Sequence, residues 1–244
     1  MLPASRLFLC LCCAALALSP AARAAAPLVM LVDHSEEMPS ARIERGEVLE
    51  GISHDLAQLL GERLGREPRF LVLPRRRVAQ ALASGEADLL CDYLPAWLPG
   101  PFAWSRPFLP GAYWVVTRRD REAPASLAAL VSRRVGTVRG YAYPELQAQL
   151  GAANWREDAP NADASLRMLA LGRVDHAAVS QRFLQYQQRI GSFTVPLHAP
   201  LPVSSYQTQC ALSPRSSIRL GALNQALGEI VGDGSLERLL QRYR

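Results

Sequence analysis

Leu82-Ala83-Ser84-Gly85-Glu86-Ala87-Asp88 and Leu169-Ala170-Leu171-Gly172-Arg173-Val174-Asp175 share the pattern L-x-x-G-x-x-D. Each ends a helix-like run and opens an apolar, strand-like one: Leu89-Leu90-Cys91 after the first, Ala177-Ala178-Val179 after the second. Glycine just past the last helical turn is the expected stop, because it takes the left-handed backbone at no steric cost. One helix–glycine–strand unit in each half of the chain predicts two similar α/β lobes. Two such lobes face each other across a cleft, and clefts bind small molecules.

Strand–helix alternation extends outward from both units. Residues 28–32 read as a buried strand. Gly46 and Gly51 bracket a turn, after which Ser53 caps a helix with Asp55 in its first turn. Ile52, Leu56, Leu59, Leu60 and Leu64 form that helix's apolar stripe, and Gly65 ends it. A strand at 70–73, a helix at 76–84 and a strand at 89–93 follow. This order implies a largely parallel sheet with covered faces. Residues 95–110 hold five prolines with Phe102, Trp104 and Phe108, and read as an aromatic loop. After a strand at 113–117 the second unit alternates again: a strand at 135–138, helices near 144–150 and 163–171, a strand at 177–180 and a helix at 183–188. Pro196, Pro200 and Pro202 mark a connector. A strand at 207–212, an amphipathic helix at 218–231 and a final helix at 236–243 close the chain.

Residues 1–26 read as a secretory signal peptide, with Arg6, an apolar stretch at 7–18, a Ser19-Pro20 break and small-x-small cleavage sites at Ala22-Arg23-Ala24 and Ala24-Ala25-Ala26. The stretch is shorter than the roughly 20 apolar residues a membrane anchor needs. Cys10, Cys12 and Cys13 lie inside it, which argues against a lipoprotein. Residues 27–244 are long enough for a real core and hold no further spanning run, so the mature protein is expected to be periplasmic and soluble.

All 27 basic residues are arginine, which excludes Schiff-base chemistry on a lysine. Losing Arg6 and Arg23 lowers the formal net charge from +5 to +3, too mild to argue for nucleic acid. Cys91 and Cys210 remain, either as a disulfide or as two buried thiols. His34, His54, His176 and His198 form no metal-ligand spacing, and no phosphate, dinucleotide or nucleophile-elbow motif appears. No cofactor and no metal are expected.

The order of landmarks resembles the extracellular solute-binding proteins of the polar-amino-acid type (family 3), with the type II periplasmic binding fold. The matching stretches are Gly46-x4-Gly51-Ile52-x-x-Asp55-Leu56, Gly85-Glu86-Ala87-Asp88, Trp104-Ser105-Arg106-Pro107-Phe108, Val135-Gly136-Thr137-Val138-x-Gly140, Gly172-Arg173-Val174-Asp175 and Asp233-Gly234-Ser235-Leu236-x-Arg238-Leu239-x-x-Arg242-Tyr243. None is specific alone; the ordered set spans residues 27–244. The resemblance implies two lobes, residues 27–110 with 203–244 and residues 111–202, joined by two crossovers and closing on a ligand by a hinge. It also sets the strand of Cys210 beside that of Cys91, which implies a disulfide.

The resemblance also shows where this chain departs. Family members that hold an α-amino acid have an arginine shortly before the F-S-x-P-Y motif, gripping the carboxylate, whereas residues 95–101 contain none. They carry an acid five residues after the G-R-x-D aspartate, where this chain has Ser180. A standard α-amino acid is therefore not the expected ligand, and an anionic or aromatic solute is preferred.

Arg75 and Arg77 open the second helix, where cations are slightly unfavourable, and are candidates to face the ligand; solvent-facing charge is the plain alternative. Asp92 and Tyr93 end a strand of lobe one, and ligands of open α/β sheets bind beyond strand carboxyl ends. Tyr141, Ala142 and Tyr143 follow Gly140 before a helix of lobe two, where free backbone N–H groups suit an anion. Trp97, His34 with Glu36 beside it, and Ser180 complete the candidates. Trp104 and Phe108 line the first crossover with Trp97, Phe108 more as core. The expected function is a monomeric periplasmic receptor that captures a small polar solute and delivers it to an ABC-type permease complex. The alternatives are a receptor feeding a signalling partner, and an enzyme resembling the periplasmic cyclohexadienyl dehydratases of the same fold.

Overall fold

The structure, a computed structural model, describes residues 25–151 and 154–244. The segment read as a signal peptide, with its three cysteines, lies outside the described residues, apart from Ala25 and Ala26.

The first half runs β1 (Leu28–Asp33), β2 (Arg42–Glu44), β3 (Glu47–Glu50), α1 (Ile52–Leu64), β4 (Pro68–Leu73), α2 (Arg75–Ser84), β5 (Leu89–Tyr93) and β6 (Ala103–Trp104). The long strand β7 (Leu109–Thr117) crosses into the second half: β8 (Val135–Val138), α3 (Pro144–Leu150), β9 (Arg156–Ala159), α4 (Ala162–Ala170), β10 (His176–Ser180) and α5 (Gln181–Arg189). The longer strand β11 (Leu201–Leu212) returns to the first half, where α6 (Leu220–Gly232) and α7 (Ser235–Gln241) end the fold.

Both halves use one topology. Parallel strands stand in the order β4-β1-β5 in the first and β9-β8-β10 in the second. Strand β11 borders β5 and strand β7 borders β10, both antiparallel, and β11 pairs with β7 in the middle. The repeated L-x-x-G-x-x-D segment therefore occupies one place twice, between α2 and β5 and between α4 and β10. The Gly85 N–H donates to the Leu82 carbonyl at 3.3 Å, and the Gly172 N–H donates to the Leu169 carbonyl at 3.0 Å. Both glycines are left-handed, with φ of 82° and 70°. Asp88 then ties the first unit down, accepting from the Val29 N–H and the Ser216 hydroxyl.

Each half buries both faces of its sheet. In the first, Leu28, Met30 and Leu89 pack against Leu56, Leu60, Leu223 and Ile230 on one side, while Leu31 and Leu90 meet Val78 and Leu82 on the other. In the second, Val116, Val179, Leu166 and Leu169 form one cluster, and Val115, Val135, Ala178 and Leu146 the other. Full burial of one such leucine contributes about 2 kcal/mol. Cys91 and Cys210 form a disulfide between neighbouring strands β5 and β11.

Several local expectations are corrected. The turn expected between Gly46 and Gly51 is a β2–β3 hairpin, turning at Arg45-Gly46 with φ of 52° and 84°. Helix α1 is capped by Gly51 with no side-chain cap, because the Ser53 hydroxyl donates to Glu36 Oε2 at 3.1 Å instead. The aromatic segment after residue 95 is not all loop: β6 pairs with β11. Strand β9 was not expected; its Arg-Glu-Asp sequence carries no apolar alternation, and it forms the sheet's edge.

Candidate functional site

The loops that follow the carboxyl ends of the parallel strands in both halves converge on one cavity of about 120 Å³. An apolar cavity of roughly 150 Å³ holds a benzene, so this one suits a ligand of about that size. From the first half come Ser35, Glu36 and Glu37 after β1, Arg75 after β4, and Asp92, Tyr93 and Trp97 at and beyond the end of β5. From the second come Tyr141 and Ala142 after β8, Ala162 after β9, and Ser180, Arg182 and Phe183 at the end of β10 and the start of α5. Tyr113 on β7 and Tyr206 on β11 supply the floor.

Two arginines reach the cavity, and protein carboxylates oppose both. Arg182 Nη2 donates to both carboxylate oxygens of Asp92 at 2.7 Å, joining the two halves. Each side chain is 21% exposed. The Thr208 hydroxyl donates to Asp92 Oδ1 at 2.8 Å. Asp92 holds φ at 61°, a left-handed conformation that Asp tolerates better than most residues. Arg182 Nη1 is buried with no hydrogen-bond partner among the described residues.

Arg75 donates to the Tyr93 hydroxyl and, at 3.1 Å, to the Trp97 carbonyl. Its guanidinium lies 4.7 Å from the Tyr93 ring centroid and 5.3 Å from that of Tyr141. Asp33 Oδ2 stands 3.8 Å from Arg75 Nη1. The Asp33 carboxylate is fully buried; its Oδ1 accepts from the Ser35 N–H and hydroxyl, while Oδ2 has no hydrogen-bond partner.

Glu36 makes no ion pair with any described residue. Burial, reinforced by the charges of Asp33 and Asp92, pushes its carboxyl up to about 8. Glu37 accepts the Asp163 N–H from the other half at 2.9 Å, and burial raises its carboxyl too. The aromatic walls meet edge to face: Trp97 stands 5.0 Å from Tyr206 and 6.2 Å from Tyr113. Burial raises the phenols of Tyr93, Tyr113, Tyr141 and Tyr206, so all four stay protonated donors.

Of the residues singled out in the sequence, Arg75, Asp92, Tyr93, Trp97, Tyr141, Ala142 and Ser180 line the cavity. Three stand elsewhere. His34 turns outward in the turn after β1, its side chain 57% exposed beside Asp33. Arg77 lies two helical positions beyond Arg75, on the solvent side 3.9 Å from Glu86. Tyr143 is core: its hydroxyl accepts the Val138 N–H, and its ring packs on Trp155 and Tyr113. Sequence reasoning missed Arg182, Tyr113, Tyr206 and Phe183. Glu36 proves to be inside, and Asp92 is joined by other acids.

No family model matches the sequence, and no curated protein is similar to it at a significant level. Solved structures do match. The ligand-binding core of GluR0 in complex with L-glutamate aligns with a TM-score of 0.74 at 16% identity, over 91% of this chain and 99% of that one. A histidine kinase sensor domain with similarity to periplasmic binding proteins gives 0.73 at 20% identity, over 89% and 95%. The ancestral amino acid-binding protein AncCDT-1, a precursor of cyclohexadienyl dehydratase, gives 0.72 at 16% identity, over 89% and 95%. The chain thus has the two-lobe fold of type II periplasmic binding proteins, as the landmark order implied.

Proposed function

We propose that this protein is a periplasmic receptor that captures a small polar solute, other than a standard α-amino acid, between its lobes (residues 27–110 with 203–244, and 111–202). One observation carries the reading: charged and aromatic side chains from both halves meet around one cavity, so a ligand gains its full set of contacts only when the lobes are closed. Arg75, Asp92, Tyr93, Trp97, Tyr141, Ala142 and Ser180 are the proposed ligand contacts, with Glu36, Tyr113, Arg182 and Tyr206 added. The proposed role is delivery to an ABC importer.

A thermal-shift screen of the purified protein against amines, amino acids, organic acids, opines and aromatic acids tests the receptor. A ligand that binds only the folded state raises the melting temperature by mass action. Loss of labelled-solute uptake in cells lacking the protein then identifies transport. Intact uptake favours the second reading, a receptor for a separate signalling partner, which the likeness to a kinase sensor domain supports. Turnover of prephenate or arogenate would replace both with an enzyme.

A further inference from the structure

Acidic side chains outnumber arginines around the cavity. Arg182 is opposed by Asp92 and Arg75 by Asp33, the second pair at 3.8 Å. Glu36 is left over: it lines the cavity half-buried, and its one side-chain partner among the described residues is the neutral Ser53 hydroxyl. Asp33 does not itself line the cavity, and the oxygen it turns toward Arg75 accepts no hydrogen bond. A buried carboxylate is normally paired with a cation or held neutral. The groups around Glu36 are Asp33, Asp92, Arg75, Arg182, Tyr93 and Tyr141. The two arginines among them already have acids of their own. A metal ion is a poor fit, since no group of three or more His, Cys, Asp or Glu among the described residues is arranged to hold one.

We propose that the solute carries a positively charged nitrogen, and that this nitrogen sits against Glu36 at the first-half wall of the cleft. The inference rests on the receptor reading above and names the class of its ligand: an organic amine, amidine or guanidine. The body of such a ligand lies against Trp97, Tyr113 and Tyr206, whose rings offer apolar faces with negative potential. This class differs from the anionic solute expected from the sequence, because each arginine already faces a carboxylate.

Two matched pairs of probes test this at tens of millimolar: phenethylamine against 3-phenylpropanoate, and putrescine against adipate. Within each pair the skeleton is kept and the end charge is inverted. The amines should raise the melting temperature and the acids should not. Titration calorimetry with the better amine then reads the role of Glu36. Burial keeps this carboxyl protonated up to about pH 8, so the amine must displace its proton. If only the ionised form binds, the competent fraction rises about tenfold between pH 7 and pH 9, and apparent affinity rises with it. Glu36→Gln should remove that rise. Proton release, read on the unaltered protein in buffers of different ionisation enthalpy, gives the same answer should the variant fail to fold. Stabilisation by the acids, or affinity that falls with rising pH, overturns the inference by making Glu36 a neutral donor to an anion. A hit in the broad screen with neither amine active overturns the inference and spares the receptor. Silence in both overturns the receptor as well.

Discussion

Removing the charge of Asp92 while keeping its shape should loosen the two halves from each other. Asp92→Asn is the right change, because Asn tolerates the left-handed backbone at this position and can still accept from Thr208. Alanine would add a backbone penalty of about 1–2 kcal/mol unrelated to the ion pair. Breaking a fully buried pair costs roughly 3–5 kcal/mol, and an exposed pair contributes at most about 1. With each side chain 21% exposed, we expect about 2 kcal/mol. For a chain of this size that is a fall of roughly 4–8 °C in melting temperature. Arg182→Gln should cost a similar amount, and the double variant should be little worse than either single one. The double-mutant cycle would then give a coupling energy of about 2 kcal/mol. Because the pair spans the halves, X-ray scattering should also show a larger radius of gyration in each single variant. A coupling energy within about 0.5 kcal/mol of zero would refute the reasoning, whatever the single variants do.

Reducing the Cys91–Cys210 bond opens a loop of 119 residues and should cost about 3 kcal/mol, so a reductant should lower the melting temperature by roughly 6–12 °C. Glu36 keeps its proton in the folded state up to about pH 8 but loses it near 4.5 when unfolded. Between those values the unfolded chain binds fewer protons, so the contribution of Glu36 to stability falls as pH rises. Glu36→Gln should therefore be more stable than the parent at pH 8 and equal to it near pH 4; parallel melting curves across that range would contradict the burial. At Gly51, φ is 123° and an added Cβ would stand 2.5 Å from the Ser40 carbonyl oxygen, whereas at Gly46 nothing lies within 4 Å. Denaturant titration should show Gly51→Ala costing several times the roughly 1 kcal/mol expected for Gly46→Ala.

The alternation of strands and helices was legible because it is written locally, in apolar runs and in the glycines that stop α2 and α4. The β2–β3 hairpin was also within reach: Arg42 to Glu50 alternates around Arg45-Gly46, a two-residue turn of the kind hairpins favour. Strand β9 was not, since its charged residues form the edge of the sheet, held to β8 by backbone pairing and by the Thr137 hydroxyl on Asp158 rather than by an apolar pattern. In the site, residues at strand carboxyl ends were found by position. The rule that selected Asp92 and Tyr93 at the end of β5 would also have selected Arg182, just after β10. Tyr113 and Tyr206 were out of reach because they meet only through the pairing of β7 with β11, strands separated by the whole second half. Glu36 was a candidate by its place just after β1, where a solvated loop is the plain alternative, and only the residues that surround it in the cavity decide between the two.

The link between Cys91 and Cys210 turns residues 91–210 into a covalent ring whose clasp sits one residue from Asp92. All of β8, β9 and β10, with their helices, hang inside that ring as a pendant. A single cut by a protease anywhere in the pendant opens the ring without parting the molecule, and the two pieces separate only on reduction. The pendant can also unfold while its two ends stay fastened to adjacent strands of an intact first half. The clasp is therefore a tether that keeps a damaged or half-folded molecule in one piece.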